Sequence, residues 1–438
     1  MRWVSLAVLA VVLILVLWRP RRLAEGWFTM GGAALLAALG FLHPDDGLAV
    51  WRETAPTLAF LAGMLVAAFV ADQAGVFRAA AAACRRWAGS SAVRLYAFLF
   101  ILGCLVTTFF SLDTTAVTMT PIVLAVAQQL GLPPLPFVWL AVYTANTGSL
   151  LLPVSNLTNL IAAERYHLSL WTFARVMVLP ALLATSLNLG LFLLLFHRQL
   201  AGVRSEAVAS AQVAAASLLG SASRQQQSGP AWPWRAVWLL VAALLAGLGL
   251  APYLGWPLWW VADAGAALMA GVAVAGRLVR PADLARRVSW NVIPFVFGLF
   301  LVIRAVQSAG VLPVPGPVDQ AASALGGWTT TRVAQLAGRW ALLGAGTANL
   351  LNNLPAELLL LPAATPGPAL YGLLLGVNLG PNLTIIGSLA TILVLSLARQ
   401  QAVAVSGKQY LQLGVVITPA LLGAGVLGLT LGHLLGWL

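Results

Sequence analysis

Apolar stretches dominate the chain and are separated by short polar breaks. They fall at about 3–18, 28–42, 57–77, 95–112, 114–130, 136–162, 171–196, 234–252, 257–276, 289–309, 333–365, 368–397 and 409–437. A helix needs roughly 20 apolar residues to cross a bilayer, and these runs have that scale. Two regions, 95–130 and 333–365, each read as two apolar pieces folded about a polar turn. Such a pair forms a re-entrant hairpin that enters and leaves on one side. The pattern predicts an all-α polytopic membrane protein of two inverted repeats. Each repeat holds five transmembrane spans, one re-entrant helical hairpin and one broken helix. The expected boundaries are 1–196 for the first repeat, 197–233 for a cytoplasmic linker rich in Ser, Ala and Gln, and 234–438 for the second.

Composition supports the same class. Hydrophobic residues make up 61% of the 438 residues and charged ones 8%, against about a quarter charged in a soluble domain. Seventeen Trp suit interfacial belts, as at Trp256, Trp259 and Trp260. The net charge of +12 is concentrated in connectors: Arg19, Arg21 and Arg22; Arg78, Arg85, Arg86 and Arg94; Arg277, Arg280, Arg286 and Arg287; Arg399 and Lys408. The acidic connector His43-Pro44-Asp45-Asp46 lies between the first two of these groups. With the N-terminus outside, every basic connector falls inside, as the positive-inside rule asks. The charge therefore reports topology and excludes nucleic acid as a partner. Both termini are expected in the periplasm of an inner-membrane protein. The apolar N-terminus ends in Trp18-Arg19-Pro20-Arg21-Arg22 without a small-residue cleavage site, and reads as a retained helix.

The halves repeat each other. Phe60-Leu-Ala-Gly63 returns as Phe295-Val-Phe-Gly298, and Ala74-Gly75-Val76 as Ala309-Gly310-Val311, both 235 positions on. Leu112-Asp113-Thr114-Thr115-Ala116 parallels Leu351-Asn352-Asn353-Leu354-Pro355, and Ala145-Asn146-Thr147-Gly148 parallels Val377-Asn378-Leu379-Gly380.

Polar residues gather at these repeated points. Irregular backbone at membrane depth survives only where it lines protein or a cavity, and broken helices aim their free ends at a ligand. Asp113, Thr114 and Thr115 mark the first hairpin tip, and Asn352 and Asn353 the second. Asn146, Ser155, Asn156, Thr158 and Asn159 mark the first break; Asn378, Asn382, Thr384 and Ser388 mark the second. Inverted repeats bring tips and breaks together near the midplane, where the alternative role of these groups is to cap half-helices. An intramembrane carboxylate is costly and functional by default, so Asp113 is the candidate for proton exchange; its alternative is an N-cap for the helix beginning at Thr114. Arg304 and Glu357 also lie in apolar segments and are candidates to pair, with a hairpin-mouth position equally open to Glu357. Asp72 and Asp263 lie nearer span ends. Cys84 and Cys104 are too few for a disulfide framework or a metal cluster, and packing is the expected role of Cys104. None of the four His lies near the tips, which argues against a membrane-embedded enzyme.

The strings Leu151-Leu-Pro153-Val-Ser-Asn-Leu-Thr-Asn159 and Gly376-Val-Asn-Leu-Gly-Pro-Asn-Leu-Thr384 resemble the ArsB arsenite efflux permeases of the ion-transporter superfamily, as do the two tip strings. The tip strings are shared with sister families, and the likeness covers nearly all of the chain outside 197–233. The resemblance implies proton-driven efflux of arsenite and antimonite by elevator-type movement, sometimes aided by a cytosolic ATPase subunit. No cofactor is implied, and the chain holds no phosphate-binding Gly-Lys-Ser/Thr motif of its own. Arsenite is a largely uncharged trihydroxide, suited to hydroxyl and carboxamide groups. A proton- or Na+-coupled organic-anion carrier would call for cationic donors, with Arg304 the candidate. A Na+/H+ antiporter ordinarily needs a second deep carboxylate.

Overall fold

The computed structural model describes residues 2–18, 23–201, 232–310 and 329–438. Arg19, Arg21, Arg22, residues 202–231 of the expected linker and Val311 of the repeat lie outside them. Eighteen α-helices and no strand occur among the described residues. In the first half, α1 (Arg2–Trp18) and α2 (Glu25–Ala38) lead to α3 (Pro44–Gln73), α4 (Val76–Ala88), α5 (Ala92–Phe109) and α6 (Leu112–Gln129). A broken pair follows, α7 (Leu135–Thr147) and α8 (Leu157–Arg165), then α9 (Leu170–Ala201). In the second half, α10 (Trp232–Leu254) and α11 (Leu258–Ala275) precede α12 (Pro281–Arg287), α13 (Val292–Ser308), α14 (Thr330–Leu351) and α15 (Asn353–Leu360). The second broken pair is α16 (Pro368–Leu379) and α17 (Leu389–Gln400), and α18 (Gly407–Leu434) closes the chain.

Seven helical stretches among the described residues are long and apolar enough to cross a membrane; Trp3–Val16 and Leu389–Gln400 are shorter apolar helices. The chain is an all-helical, multi-pass membrane protein. Equivalent helices pack in equivalent ways: α3 lies on α11 and α13 on α2, α5 on α7 and α14 on α16, and α9 runs along α18. Two glycines set the first of these crossings. A Cβ on Gly63 would meet the Ala262 carbonyl carbon at 2.9 Å, and one on Gly298 would meet the Met30 nitrogen at 2.7 Å. The paired motifs Phe60–Gly63 and Phe295–Gly298 thus mark places where two backbones touch.

Several elements differ from the hydropathy reading. The acidic connector is the start of α3: Pro44 stands at N1 and His43 N–H donates to Asp46 Oδ2 at 3.0 Å. Proline at the first position and carboxylates in the first turn both favour a helix N-terminus, so α3 runs 30 residues. The basic connector 78–94 is largely α4, which buries Phe77, Ala81, Cys84 and Ala88 on one face; hydropathy averaging hides such an amphipathic helix. The second hairpin has unequal arms in place of two short pieces: α14 has 22 residues and α15 only 8. At 1.5 Å per residue these are about 33 Å and about 12 Å long.

Candidate functional site

Each hairpin turns through a different backbone. In the first, Ser111 is extended; its Oγ caps α6 by accepting from Thr114 N–H at 3.1 Å. In the second, Asn352 holds φ 84° and ψ 157°, a region populated essentially by glycine. Its Nδ2 donates to the Ile386 carbonyl at 3.1 Å, which ties the tip to the second break. The hairpins are also anchored at equivalent glycines. Thr108 Oγ1 donates to the Gly148 carbonyl at 3.0 Å, and Asn349 Nδ2 donates to the Gly380 carbonyl at 2.8 Å.

The breaks themselves form the second structural layer. α7 gives way to 3₁₀ turns at Gly148–Leu150 and Pro153–Ser155, and α16 to turns at Gly380–Asn382 and Ile385–Gly387. Both sites lose regular amide hydrogen bonds where Gly and Pro interrupt the helix, and side chains supply the replacements. Asn378 is the hub. Its Oδ1 accepts from Ser149 Oγ at 2.8 Å and Asn156 Nδ2 at 2.6 Å, while its Nδ2 donates to Asn159 Oδ1 at 2.8 Å. Asn146 mirrors it by donating to Asn382 Oδ1 at 3.0 Å and Thr391 Oγ1 at 3.2 Å. Asn378 follows Asn146, and Thr391 follows Asn159, by the same 232 positions. The two breaks are therefore laced to each other in a reciprocal pattern.

A cavity of about 1060 Å³ opens against this assembly. Asp113 and Thr114 from the first tip, Asn352 and Asn353 from the second, Asn156 from the first break and Ser388 from the second all line it. The remaining expected residues lie behind that wall. Thr115 meets Thr107 Oγ1 at 2.8 Å, and Thr384 Oγ1 donates to Asn349 Oδ1 at 2.7 Å. Ser155 donates to the Ser149 and Leu152 carbonyls. Asn146, Asn159, Asn378 and Asn382 belong to the lacing just described, and Thr158 is buried without a partner for its hydroxyl. Two oxygens on lining residues, Asn352 Oδ1 and Ser388 Oγ, are also buried without a hydrogen-bond partner in the protein. No hydrogen bond or ion pair among the described residues engages the Asp113 carboxylate. Such orphans are rare, because an unpaired buried polar group costs about 1–3 kcal/mol. Asn352 Oδ1 and Ser388 Oγ lie where the second tip and the second break meet at the cavity.

The profile of the arsenical pump membrane protein family, ArsB, matches residues 4–435. The chain belongs to that family. Arsenical pump membrane proteins of Escherichia coli and Yersinia enterocolitica are each 28% identical to it, with 94% of both chains covered. An uncharacterized transporter of Mycobacterium tuberculosis is 25% identical over 82% of this chain and 81% of its own. Among solved structures, the YdaH transporter of Alcanivorax borkumensis superposes with a TM-score of 0.58 at 18% identity, covering 97% of this chain and 99% of that one. That likeness concerns the fold. In this ArsB-family chain the cavity is built by the very tips and breaks on which the sequence resemblance rests.

Sequence reasoning missed part of the wall. Glu25 and Asn291 both line the cavity, with Asn291 Nδ2 donating to Glu25 Oε2 at 2.6 Å and Gly26 N–H donating to Asn291 Oδ1 at 3.1 Å. The signal was a carboxylate inside an otherwise basic connector. Arg287 and Arg399 line it as well, Arg287 lying over the Phe69 ring at 5.7 Å. The expected pairing of Arg304 with Glu357 does not form. Arg304 faces Asp46 at 4.0 Å, and Glu357 is wholly buried in α15. Cys104 is buried on α5, where a Cβ on Gly148 would lie 2.8 Å from its Cα, so the thiol packs behind the break and away from the cavity lining.

Proposed function

We propose that this protein exports arsenite and antimonite from the cytoplasm in exchange for protons. The observation that carries the reading is the group of oxygens where the tips meet: the Asp113 carboxylate, which lines the cavity, and Asn352 Oδ1 and Ser388 Oγ, both buried without a partner in the protein. All three accept hydrogen bonds, and a neutral arsenic trihydroxide offers three O–H donors. The lining tip residues Asp113, Thr114, Asn352 and Asn353 include no cation, which fits an uncharged solute better than a carboxylate. Three-thiolate capture is ruled out because the chain has two cysteines.

The reading extends to topology and motion. Residues 1–196 and 234–438 act as inverted repeats on either side of the 197–233 linker, in the inner membrane with both termini periplasmic. On that assignment the wall residues Arg287, Arg399 and Gln400 belong to cytoplasmic connectors, so the cavity opens to the cytoplasm, the side from which an exporter loads. The hairpins and breaks, held by Thr108, Asn349 and the Asn378 lacing, move as one unit against the scaffold of α3, α11, α2 and α13. Asp113 is the proton-coupling group, and a cytosolic ATPase subunit is a partner consistent with the family.

Everted membrane vesicles given a proton gradient test the proposal. They accumulate arsenite with the native protein and lose gradient-driven uptake with Asp113→Asn. Unchanged uptake in that variant removes Asp113 from coupling while leaving the substrate in place. Arg287 and Arg399 on the cavity wall favour one rival, an organic-anion carrier; citrate uptake without arsenite uptake would establish it.

A further inference from the structure

Glu357 has no role in the cycle just described, yet it is the most thoroughly enclosed carboxyl of the described residues. The residue is 0% exposed, and neither Oε1 nor Oε2 has a hydrogen-bond partner in the protein. It lies one helical turn beyond the cavity: Asn352, Asn353 and Leu354 line the wall, and Glu357 stands behind them on the same short helix, α15. Just beyond Glu357 that helix is latched down. Gln307 Nε2 donates to the Leu358 carbonyl at 3.1 Å, and Tyr166 Oη donates to the Leu361 carbonyl at 2.9 Å and to the Ala364 carbonyl. Glu357 therefore occupies the layer between the cavity on one side and a hydrogen-bonded seal on the other.

The surrounding charges do not engage it. α15 packs against α8, α13, α14 and α16. Their titratable groups are Glu164 and Arg165 on α8, Arg304 on α13, Arg332 and Arg339 on α14, and Tyr371 on α16. Arg165 pairs with Glu53 at 3.5 Å and Arg304 with Asp46 at 4.0 Å; none of the six forms an ion pair or hydrogen bond with Glu357. An ionised carboxylate held in an apolar layer without donors is so unfavourable that the group takes up a proton instead. A glutamine, or an apolar residue, would fill the same space without that penalty. A carboxyl is suited to such a place when another arrangement of the helix brings it to water.

We propose that Glu357 is a second proton-exchanging group, placed on the far side of the tips from the cavity and opened to the periplasm when the Gln307 and Tyr166 latches release. The inference rests on the transport reading above for its direction: the cavity mouth faces the cytoplasm, so the sealed side faces outward, where protons enter. Asp113 and Glu357 then stand on opposite sides of the tip layer, and each takes a proton from the periplasm and releases it to the cytoplasm once per cycle. Because arsenite is neutral, each coupled proton adds one charge to the cycle.

Two measurements test this. In proteoliposomes, the reversal potential under a fixed proton gradient gives charge moved per arsenite. Glu357→Gln lowers that ratio by one charge while arsenite movement continues, and Glu357→Asp restores it. In the purified protein in lipid, without arsenite, infrared difference spectroscopy against pH shows a protonated-carboxyl band that is lost in Glu357→Gln and retained in Asp113→Asn. An unchanged charge ratio in Glu357→Gln, or a Glu357 band that does not respond to pH, overturns the proposal. If the proteoliposomes move no arsenite, the transport reading fails, and the infrared arm alone decides whether Glu357 exchanges protons.

Discussion

The two hairpins share an architecture and differ in the polar groups they carry. Both turn at the cavity, and both are pinned to the carbonyl of an equivalent glycine, Gly148 or Gly380. The first presents its carboxylate, Asp113, to the cavity and turns through an extended Ser111. The second presents two carboxamides there, keeps its carboxyl, Glu357, behind the wall, and turns through Asn352 in a glycine-like conformation. The shared features are those that hold backbones in place. The differences fall on side chains that line the cavity or are left unpaired. The two halves thus match in the contacts that hold the frame and differ in the polar groups they turn toward the cavity.

The largest test strikes the frame. Asn378→Leu strips partners from Ser149, Asn156 and Asn159 at once, and leaving buried groups unsatisfied costs about 1–3 kcal/mol each. The expected loss is about 2–4 kcal/mol after relaxation, read as a lowered midpoint of thermal unfolding in detergent. Asn146→Leu, which frees only Asn382 and Thr391, should cost less. Equal losses would break the view of Asn378 as the hub.

A second test moves the carboxylate from one tip to the other. Asp113→Asn combined with Asn352→Asp keeps the charge count and changes the tip that bears it. If the tips are chemically distinct, gradient-driven arsenite uptake stays at least about tenfold below native, equivalent to about 1.4 kcal/mol. Recovery to the native rate would show that only the presence of a carboxylate matters. The third test separates strain from binding. Asn352→Gly removes a backbone cost of about 1–3 kcal/mol and also the Nδ2 bond to the Ile386 carbonyl, worth about 1 kcal/mol, so the unfolding midpoint should change little. The same change deletes the orphan Oδ1, and the arsenite concentration for half-maximal transport should rise several-fold. The smallest effect is expected at Cys104→Ala, which leaves transport within about twofold because the thiol packs behind the break. A large loss there would restore thiol chemistry to consideration.

Much of this was legible in the residues. Gly148, Pro153, Gly380 and Pro381 forecast the two breaks because such residues interrupt helices wherever they occur. The paired strings around Asn146 and Asn378 forecast which parts would meet. Less visible was the split between wall and brace. Across a 3₁₀ turn the 3.6-residue period is lost, so spacing does not say whether Asn156 or Asn159 faces the cavity. Glu357 was visible as an intramembrane carboxyl, but the separation from Arg304 is a matter of which helix face each occupies after α15 and α13 pack. α4 and the start of α3 escaped because hydropathy measures burial in lipid, and their helicity comes from capping and one-sided packing.

The separation of wall from brace has a consequence for how the protein can change over time. Ser388 and Thr114 touch the cavity and take no part in the lacing, whereas Asn378 and Asn146 hold the breaks and stand back from it. On the proposed transport reading, substrate range can therefore drift through the first group without loosening the architecture that the second maintains. A laboratory selection for other small neutral hydroxides should collect its substitutions at the wall and leave the lacing untouched.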